Sequence, residues 1–167
     1  MPLDRVDEIV EQWKVQRPDL DTSGMAIIGR LARLERQIRP LLDDVFERHD
    51  LESWEFDVLA TLLRSGDPHQ LTPGRLLEST MVTSGAMTNR LDRLERRGLV
   101  RRSKSPDDGR QVLVTLTEPG RTVVDRAVTD HAENERRIVG AMSADERREL
   151  TALLRRLQIA VEQANDD

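Results

Sequence analysis

Apolar residues recur every three or four positions over most of the chain, which is the spacing of helices with one buried face. The pattern predicts a first helix over 3–17, and Pro18 ends it because a residue that precedes proline avoids helical geometry. A long second helix follows, with apolar residues from Met25 to Phe46 and Pro40 as a candidate kink. The chain therefore begins with two amphipathic helices.

The centre of the chain has shorter elements. Three further helices are predicted, over 54–64, from Thr72-Pro73 to Glu78, and from Ser84 to Arg97, where Gly98 stops the last one. Alternating positions then predict two short strands, over 99–102 and 111–117, on either side of a polar turn. A short helix, a tight turn over 81–83, a second helix and a hairpin form a winged helix-turn-helix pattern.

Two helices close the chain, from Thr117-Glu118-Pro119 to about Gly140 and from the capping box Ser143 to Glu146 onward. The predicted fold class is mainly α with a small β-hairpin wing, and three parts are predicted: N-terminal helices over 1–52, a winged helix-turn-helix lobe over 53–117 and C-terminal helices over 118–167. The outer helices carry apolar stripes too long for the small centre to cover, so they predict a homodimer through the N- and C-terminal helices.

Composition excludes several classes of protein. The chain has 167 residues, 34% of them charged, and no cysteine, which removes disulfide scaffolds, thiolate zinc sites and cysteine nucleophiles. The aromatic residues are Trp13, Phe46, Trp54 and Phe56, too few for a stacking platform that binds single strands. No basic, apolar leader and no apolar run of membrane-spanning length is present, so we expect no membrane partner and a cytoplasmic location.

Charge is unevenly distributed. The whole chain has a formal net charge of −5, but residues 84–110 contain eight basic and four acidic residues, a net charge of +4 that leaves −9 elsewhere. A local positive stripe on an acidic body indicates nucleic-acid binding. A solvated helix face with ion pairs, such as Asp92 with Arg96, is the alternative that charge alone leaves open.

The fifth predicted helix suits entry into a DNA major groove. Met87, Leu91 and Leu94 point inward, which leaves small and hydrogen-bonding side chains outward at its start. Asn89 could pair with an adenine edge, Arg93 could hold phosphate or guanine, and Arg110 at the hairpin tip could reach a minor groove. The predicted DNA-binding residues are Thr72, Thr83, Ser84, Gly85, Thr88, Asn89, Arg93, Arg101, Lys104 and Arg110. A dimer of this kind would bind an inverted repeat in double-stranded DNA, with half-sites about 34 Å apart.

Catalysis and metal binding find no support in the sequence. His49, His69 and His131 lie on different segments without ligand spacing, and no nucleophile, phosphate-loop or metalloprotease motif occurs. We expect neither an enzyme, nor a cofactor, nor a metal site. A winged-helix dimer that binds a protein partner instead of DNA is the second function that the pattern allows.

Four segments resemble the MarR family of transcription regulators. They are Leu71-Thr72-Pro73, the run from Ser84 to Glu95, Gly98-Leu99-Val100-Arg101-Arg102, and Asp107-Asp108-Gly109-Arg110 at the wing. The resemblance implies a homodimer that binds pseudo-palindromic DNA, represses transcription and is released by a small, often anionic aromatic ligand. Gly109 stands where the family commonly has arginine, which removes one possible phosphate contact.

The first helix resembles an extension found in the urate-responsive branch of that family. Trp13, followed by Arg17-Pro18-Asp19-Leu20-Asp21, carries the likeness. The branch implies a ligand pocket of Trp13, Asp57, Arg90 and Arg102, in which Arg102 pairs with Asp57 and a urate-like anion stacks on the indole. The alternatives are that Trp13 only fastens the first helix to the core, that Asp57 belongs to a polar helix face, and that the protein binds DNA without any small-molecule ligand.

Overall fold

A computed structural model describes residues 3–80, 84–106 and 108–166, with the backbone alone for 84–86 and 166. The fold is mainly α with a small antiparallel sheet, as the sequence predicts. Its elements are α1 (Arg5–Gln16), α2 (Ser23–Glu47), α3 (Ser53–Arg64), β1 (Gln70–Leu71), α4 (Pro73–Ser79), α5 (Ser84–Arg96), β2 (Val100–Lys104), β3 (Val112–Leu116), α6 (Glu118–Ile138) and α7 (Ala144–Asp166). The chain divides into two compact units, Met1–Ser53 and Trp54–Asp167. The three-part division expected from the sequence stays a prediction.

The first unit is a pair of helices joined by a charged clasp. Asp4 caps α1 by accepting hydrogen bonds from the amides of Val6 and Asp7, and Asp7 accepts one from the amide of Asp4 in return. Arg30 of α2 then reaches both carboxylates, at 2.9 Å from Asp4 and 2.6 Å from Asp7. Pro40 lies inside α2 without ending it. The clasp therefore fixes the start of α1 on α2.

The second unit is built around one apolar core. Its buried side chains come from α3, α4, α5, the sheet and α6, and they include Leu59, Leu76, Leu91, Val114 and Val124. The strands are ordered β1-β3-β2, all antiparallel. The strand β1 was not predicted, because two residues are too short to show alternation. The hairpin of β2 and β3 is the wing that the sequence indicates.

A sharp turn joins α5 to the wing. Gly98 has a φ of +69°, and the amides of Gly98 and Leu99 donate to the carbonyls of Glu95 and Leu94, which ends the helix in a Schellman arrangement. Gly120 of α6 packs so tightly against this turn that a Cβ atom would lie 2.0 Å from the Leu99 carbonyl oxygen. The hydroxyl of Thr117 donates to the Gly98 carbonyl at 2.7 Å. The start of α6 is thereby fixed to the end of α5.

The last two helices follow the predicted caps. Thr117 caps α6 by accepting from the Gly120 amide, and Ser143 and Glu146 form the capping box of α7. The apolar stripe of α7 is uncovered in the single chain, with Leu150, Leu153, Leu154 and Val161 between 41% and 52% exposed. None of the helices in the described ranges is both long and apolar enough to cross a bilayer.

An ion-pair cluster attaches the wing to α5. The guanidinium of Arg102, on β2, contacts Glu95 at 2.7 Å and also pairs with Asp92. The Arg102 amide donates to the second carboxylate oxygen of Glu95 at 2.8 Å. These hydrogen bonds hold the pKa of Glu95 below its usual value, while Arg102 has a raised pKa for the same reason. The ionised carboxylate of Glu95 thus links β2 of the wing to α5.

This cluster predicts a pH-dependent attachment of the wing. Because the pKa of Glu95 is lowered on folding, its stabilising contribution is present above its ordinary pKa near 4.5 and is lost as the pH falls through the lowered value. Substitution Arg102→Gln should raise the pKa of Glu95 toward its ordinary value, measured by NMR titration of the side-chain carboxyl. Arg101→Gln is the matched control, because Arg101 directly precedes Arg102 on β2 and is exposed; this substitution should leave the pKa of Glu95 unchanged. An unaltered Glu95 titration in Arg102→Gln would contradict the assignment.

Candidate nucleic-acid interface and ligand site

The first described turns of α5 present hydrogen-bonding side chains to solvent. Thr88 and Asn89 are exposed, whereas Met87 and Leu91 on the opposite face are buried in the core. This orientation follows from the helical spacing, because Met87 and Leu91 are four positions apart on one face, Asn89 lies midway between them on the opposite face, and Thr88 lies beside Asn89. Thr83 and the side chains of Ser84 and Gly85, which the sequence also assigns to DNA, lie outside the described residues.

Thr72, which the sequence assigns to DNA binding, also caps a helix. Its hydroxyl oxygen accepts a hydrogen bond from the Arg75 amide at 3.2 Å and caps α4, with Pro73 at the first helical position. A capping hydroxyl keeps its own proton for a further acceptor. Thr72 therefore fixes the start of the helix that precedes α5 and can also donate to a phosphate.

The wing carries three exposed cations. Arg101 and Lys104 on β2 and Arg110 near the tip all extend into solvent. The tip itself is shaped by backbone hydrogen bonds and by Asp108, whose carboxylate accepts from the Arg110 amide at 3.0 Å and whose carbonyl accepts from Gln111 at 2.9 Å. Asp107 lies outside the described residues. The exposed cations give the wing a positive surface beside α5.

Arg93 does not project freely from α5, which differs from the predicted outward position. Its guanidinium carbon lies 4.8 Å from the centre of the Trp54 ring, and that of Arg90 lies 5.2 Å from the same centre. Both distances are within the range of a cation–π contact. Trp54, at the start of α3, is half-buried, and its ring contacts both arginines. Helical spacing could not show this contact because it joins two separate helices.

Arg97, immediately after α5, makes a further arginine contact with α3, in this case an ion pair. Its guanidinium lies 2.6 Å from the carboxylate of Glu55, whose side chain is only 1% exposed. A carboxylate removed from water requires such a partner, since an isolated buried charge is strongly unfavourable. The pair was not predicted from the sequence, in which Glu55 resembles any acidic residue in a first helical turn.

The predicted ligand residues are brought together in part. Asp57, half-buried on α3, has a raised pKa because burial disfavours its charged form, although the charges of Arg64 and Arg90 oppose the shift. The charge of Arg90 therefore acts on Asp57, and the assignment of these residues to a ligand site stays a prediction. The expected pair of Asp57 with Arg102 was wrong for this structure, because Arg102 is held by Asp92 and Glu95.

Trp13 belongs to the first unit, and its ring is 42% exposed. It borders an open apolar depression between α1 and the start of α2, together with Ile9, Met25 and Ile28. Such a depression could accept a flat apolar ring. Within the described ranges, no group of three or more histidine, aspartate or glutamate side chains is arranged to hold a metal ion.

Comparison with known proteins agrees with the winged-helix arrangement. A family model described as the MarR family matches residues 49–111. The HTH-type transcriptional regulator PecS of Dickeya dadantii is 42% identical over 153 residues, which are 92% of each chain. A mutant MarR from E. coli in complex with operator DNA has a TM-score of 0.70 and 28% identity over 81% of this chain and 96% of that one.

Another structural neighbour is BpsR of Bordetella bronchiseptica, whose DNA binding is regulated by 6-hydroxynicotinic acid. It has a TM-score of 0.67 and 26% identity and covers 78% of this chain and 92% of its own. The family of regulators agrees with the expectation that the chain is not an enzyme. With exposed polar side chains on α5, a cationic wing and a relative that is similar over nearly the full length, the chain belongs to the MarR family of transcription regulators.

Proposed function

We propose that this regulator is a homodimeric repressor that binds an inverted repeat through α5 and the wing, and that a planar aromatic anion releases it from DNA. The observation that carries the DNA-binding part is the exposure of Thr88 and Asn89 on α5 next to a wing with three solvent-exposed cations. The ion pairs of Arg102 hold these two surfaces together. The structural neighbour in complex with operator DNA supports this use of the fold.

Each proposed DNA contact follows from side-chain chemistry. The amide of Asn89 can pair with the donor and acceptor of an adenine edge, while Thr88 can serve either a base or a phosphate. Arg101, Lys104 and Arg110 supply charge to the phosphate backbone, and Arg110 near the wing tip suits a narrow minor groove. Base contacts from α5 would therefore set the sequence preference, and wing contacts would set most of the salt dependence.

The dimer is supported by the uncovered apolar faces of both units. In the second unit, the four exposed residues of the α7 stripe recur at helical spacing on one side of the helix. In the first unit, Ile27, Ile28, Leu34 and Leu41 of α2 are about half exposed. Exposed apolar side chains that recur along one helix are typical of a face that another surface covers. A second copy would cover both faces.

The ligand is proposed to act at Asp57 and Arg90. A planar anion can pair with the guanidinium of Arg90, and its negative charge would repel Asp57 and drive the pKa of that carboxyl further upward. The acid named with BpsR is such a planar aromatic ring, and urate is another. Trp13 is proposed separately, within the first unit, as a stacking surface for a flat ring beside the apolar depression that it borders. Arg102 contributes indirectly, by holding the wing to α5.

DNA recognition is tested with an operator duplex selected from a random pool by the wild-type protein. Asn89→Ala should weaken binding about tenfold and relax the preference at one base pair per half-site, because a bidentate base contact is lost. Lys104→Ala removes an exposed wing cation that supplies charge to the phosphate backbone, so it should weaken all sequences alike and lower the slope of log affinity against log salt by about one per subunit. Arg126→Ala, on the exposed surface of α6, is the control and should change neither quantity. Failure of the wild type to prefer any twofold-symmetric duplex would exclude the proposal.

The dimer is tested by a charge within the apolar stripe of α7. Leu153→Asp should shift the sedimentation coefficient to that of a monomer, because an unpaired carboxylate would be buried in the interface. Ala152→Asp places the same charge on the opposite side of the helix and should leave the dimer intact. Equal behaviour of the two variants would show that α7 does not form the interface.

The ligand site is tested by titration with urate, observed through tryptophan fluorescence and operator affinity. Urate should quench the fluorescence of the wild type and weaken its binding to DNA. Arg90→Gln should reduce urate affinity about tenfold or more, because a charge-assisted hydrogen bond is lost. Arg64→Gln also removes a positive charge that acts on Asp57, so it separates a direct contact from a general electrostatic effect. Equal losses in both variants, or no response of the wild type, would contradict the assignment.

A further inference from the structure

One aromatic ring on α3 is shared by two arginines of α5. The guanidinium carbons of Arg90 and Arg93 lie 5.2 Å and 4.8 Å from the centre of the Trp54 indole. The two arginines are three positions apart, so they occupy the same face of α5. Their like charges repel each other at this spacing, and the electron-rich face of the indole offsets part of that repulsion.

A guanidinium that lies over an aromatic ring can still donate hydrogen bonds to DNA. The contact uses the flat face of the group, whereas its hydrogen-bond donors project from the edge in the plane. An arginine side chain otherwise has several rotatable bonds, and ordering them on binding costs free energy. A ring that holds the side chain in one orientation before DNA arrives lowers this entropic cost.

We propose that Trp54 is a positioning residue for DNA binding, which orients Arg90 and Arg93 on α5 through its ring. This inference rests on the proposed function, in which α5 enters the DNA. In this arrangement Arg93 supplies its charge to the backbone from a fixed position, which replaces the freely extended side chain expected from the sequence. Arg90 contacts the ring and its charge also acts on Asp57, so the ring orients the same cation that the ligand is proposed to contact.

The position of Trp54 distinguishes this role from core packing. Val58, Leu59 and Leu62 of α3 are fully buried, whereas Trp54 is only half-buried at the start of the helix. The pair of Glu55 with Arg97 ties α3 to the end of α5 independently of the ring. Loss of the ring should therefore disturb the two arginines while the unit stays folded.

The experiment compares Trp54→Phe and Trp54→Leu in operator binding at constant salt. Loss of two cation–π contacts in Trp54→Leu should weaken binding about tenfold. Trp54→Phe should weaken it less, because phenylalanine retains a ring with a weaker quadrupole. In a background with Arg90→Met and Arg93→Met, Trp54→Leu should change the affinity less than about twofold, since the ring then has no cation to orient. Thermal unfolding and sedimentation establish that each variant is a folded dimer.

The outcomes separate this inference from the proposed function. Loss of affinity with Asn89→Ala but full affinity with Trp54→Leu would overturn the role of the ring and leave the DNA contact of α5 in place. Equal losses for Trp54→Phe and Trp54→Leu, or an undiminished effect of Trp54→Leu without the two arginines, would show that the residue acts by packing and would also overturn it. Full affinity with both Asn89→Ala and Trp54→Leu would overturn the inference and the proposed function together.

Discussion

The end of α5 is held to α3 by one ion pair, between the buried carboxylate of Glu55 on α3 and the partly exposed guanidinium of Arg97 directly after α5. A carboxylate removed from water is unfavourable without a cationic partner, so this pair opposes any movement of the end of α5 away from α3. The turn at Gly98 begins one residue later, and Gly120 packs on the Leu99 carbonyl that follows. The wing and the start of α6 therefore take their places from a charge pair that makes no contact with DNA in the proposed complex.

The basic residues of 84–110 have two different roles, and the net charge of the segment does not distinguish them. Arg97 and Arg102 are tied to carboxylates, and Arg90 and Arg93 lie on an indole ring, so these four support the position of α5. The exposed cations outside these contacts are Arg101, Lys104 and Arg110, while Arg96 is exposed and donates to the Asp92 carbonyl. Both kinds arise from the same excess of positive charge in residues 84–110. The two interpretations that the sequence left open, a DNA-binding stripe and a helix face with ion pairs, thus apply to different members of one segment.

The helices and the hairpin could be predicted because they depend on residues that are neighbours in sequence. The candidate site was harder to predict because it depends on contacts between separate elements. Caps at Thr72, Thr117 and Ser143 fixed three helix starts, because a side-chain oxygen and the amides it serves are neighbours in sequence. The two-residue strand β1 was missed because it exists only through its pairing with β3, more than forty positions away. The contacts of Trp54 with Arg93 and of Glu55 with Arg97 were also missed, because each joins residues about forty positions apart in sequence. The expected partner of Arg102 came from a resemblance and was wrong, because Asp92 and Glu95 of α5 both contact the Arg102 guanidinium.

The DNA affinity of an acidic protein depends on dimerisation more strongly than that of a basic protein. The chain has a net charge of −5, so its body is repelled by DNA and only a few exposed cations per lobe attract it. Each phosphate contact releases less than one counterion on average, which leaves a single lobe with weak binding at physiological salt. In the proposed dimer, the first lobe to bind presents the second at a high effective concentration, and the two sets of contacts act together. The apolar stripe of α7, which touches no nucleotide in this arrangement, would then determine DNA affinity as strongly as any residue of α5.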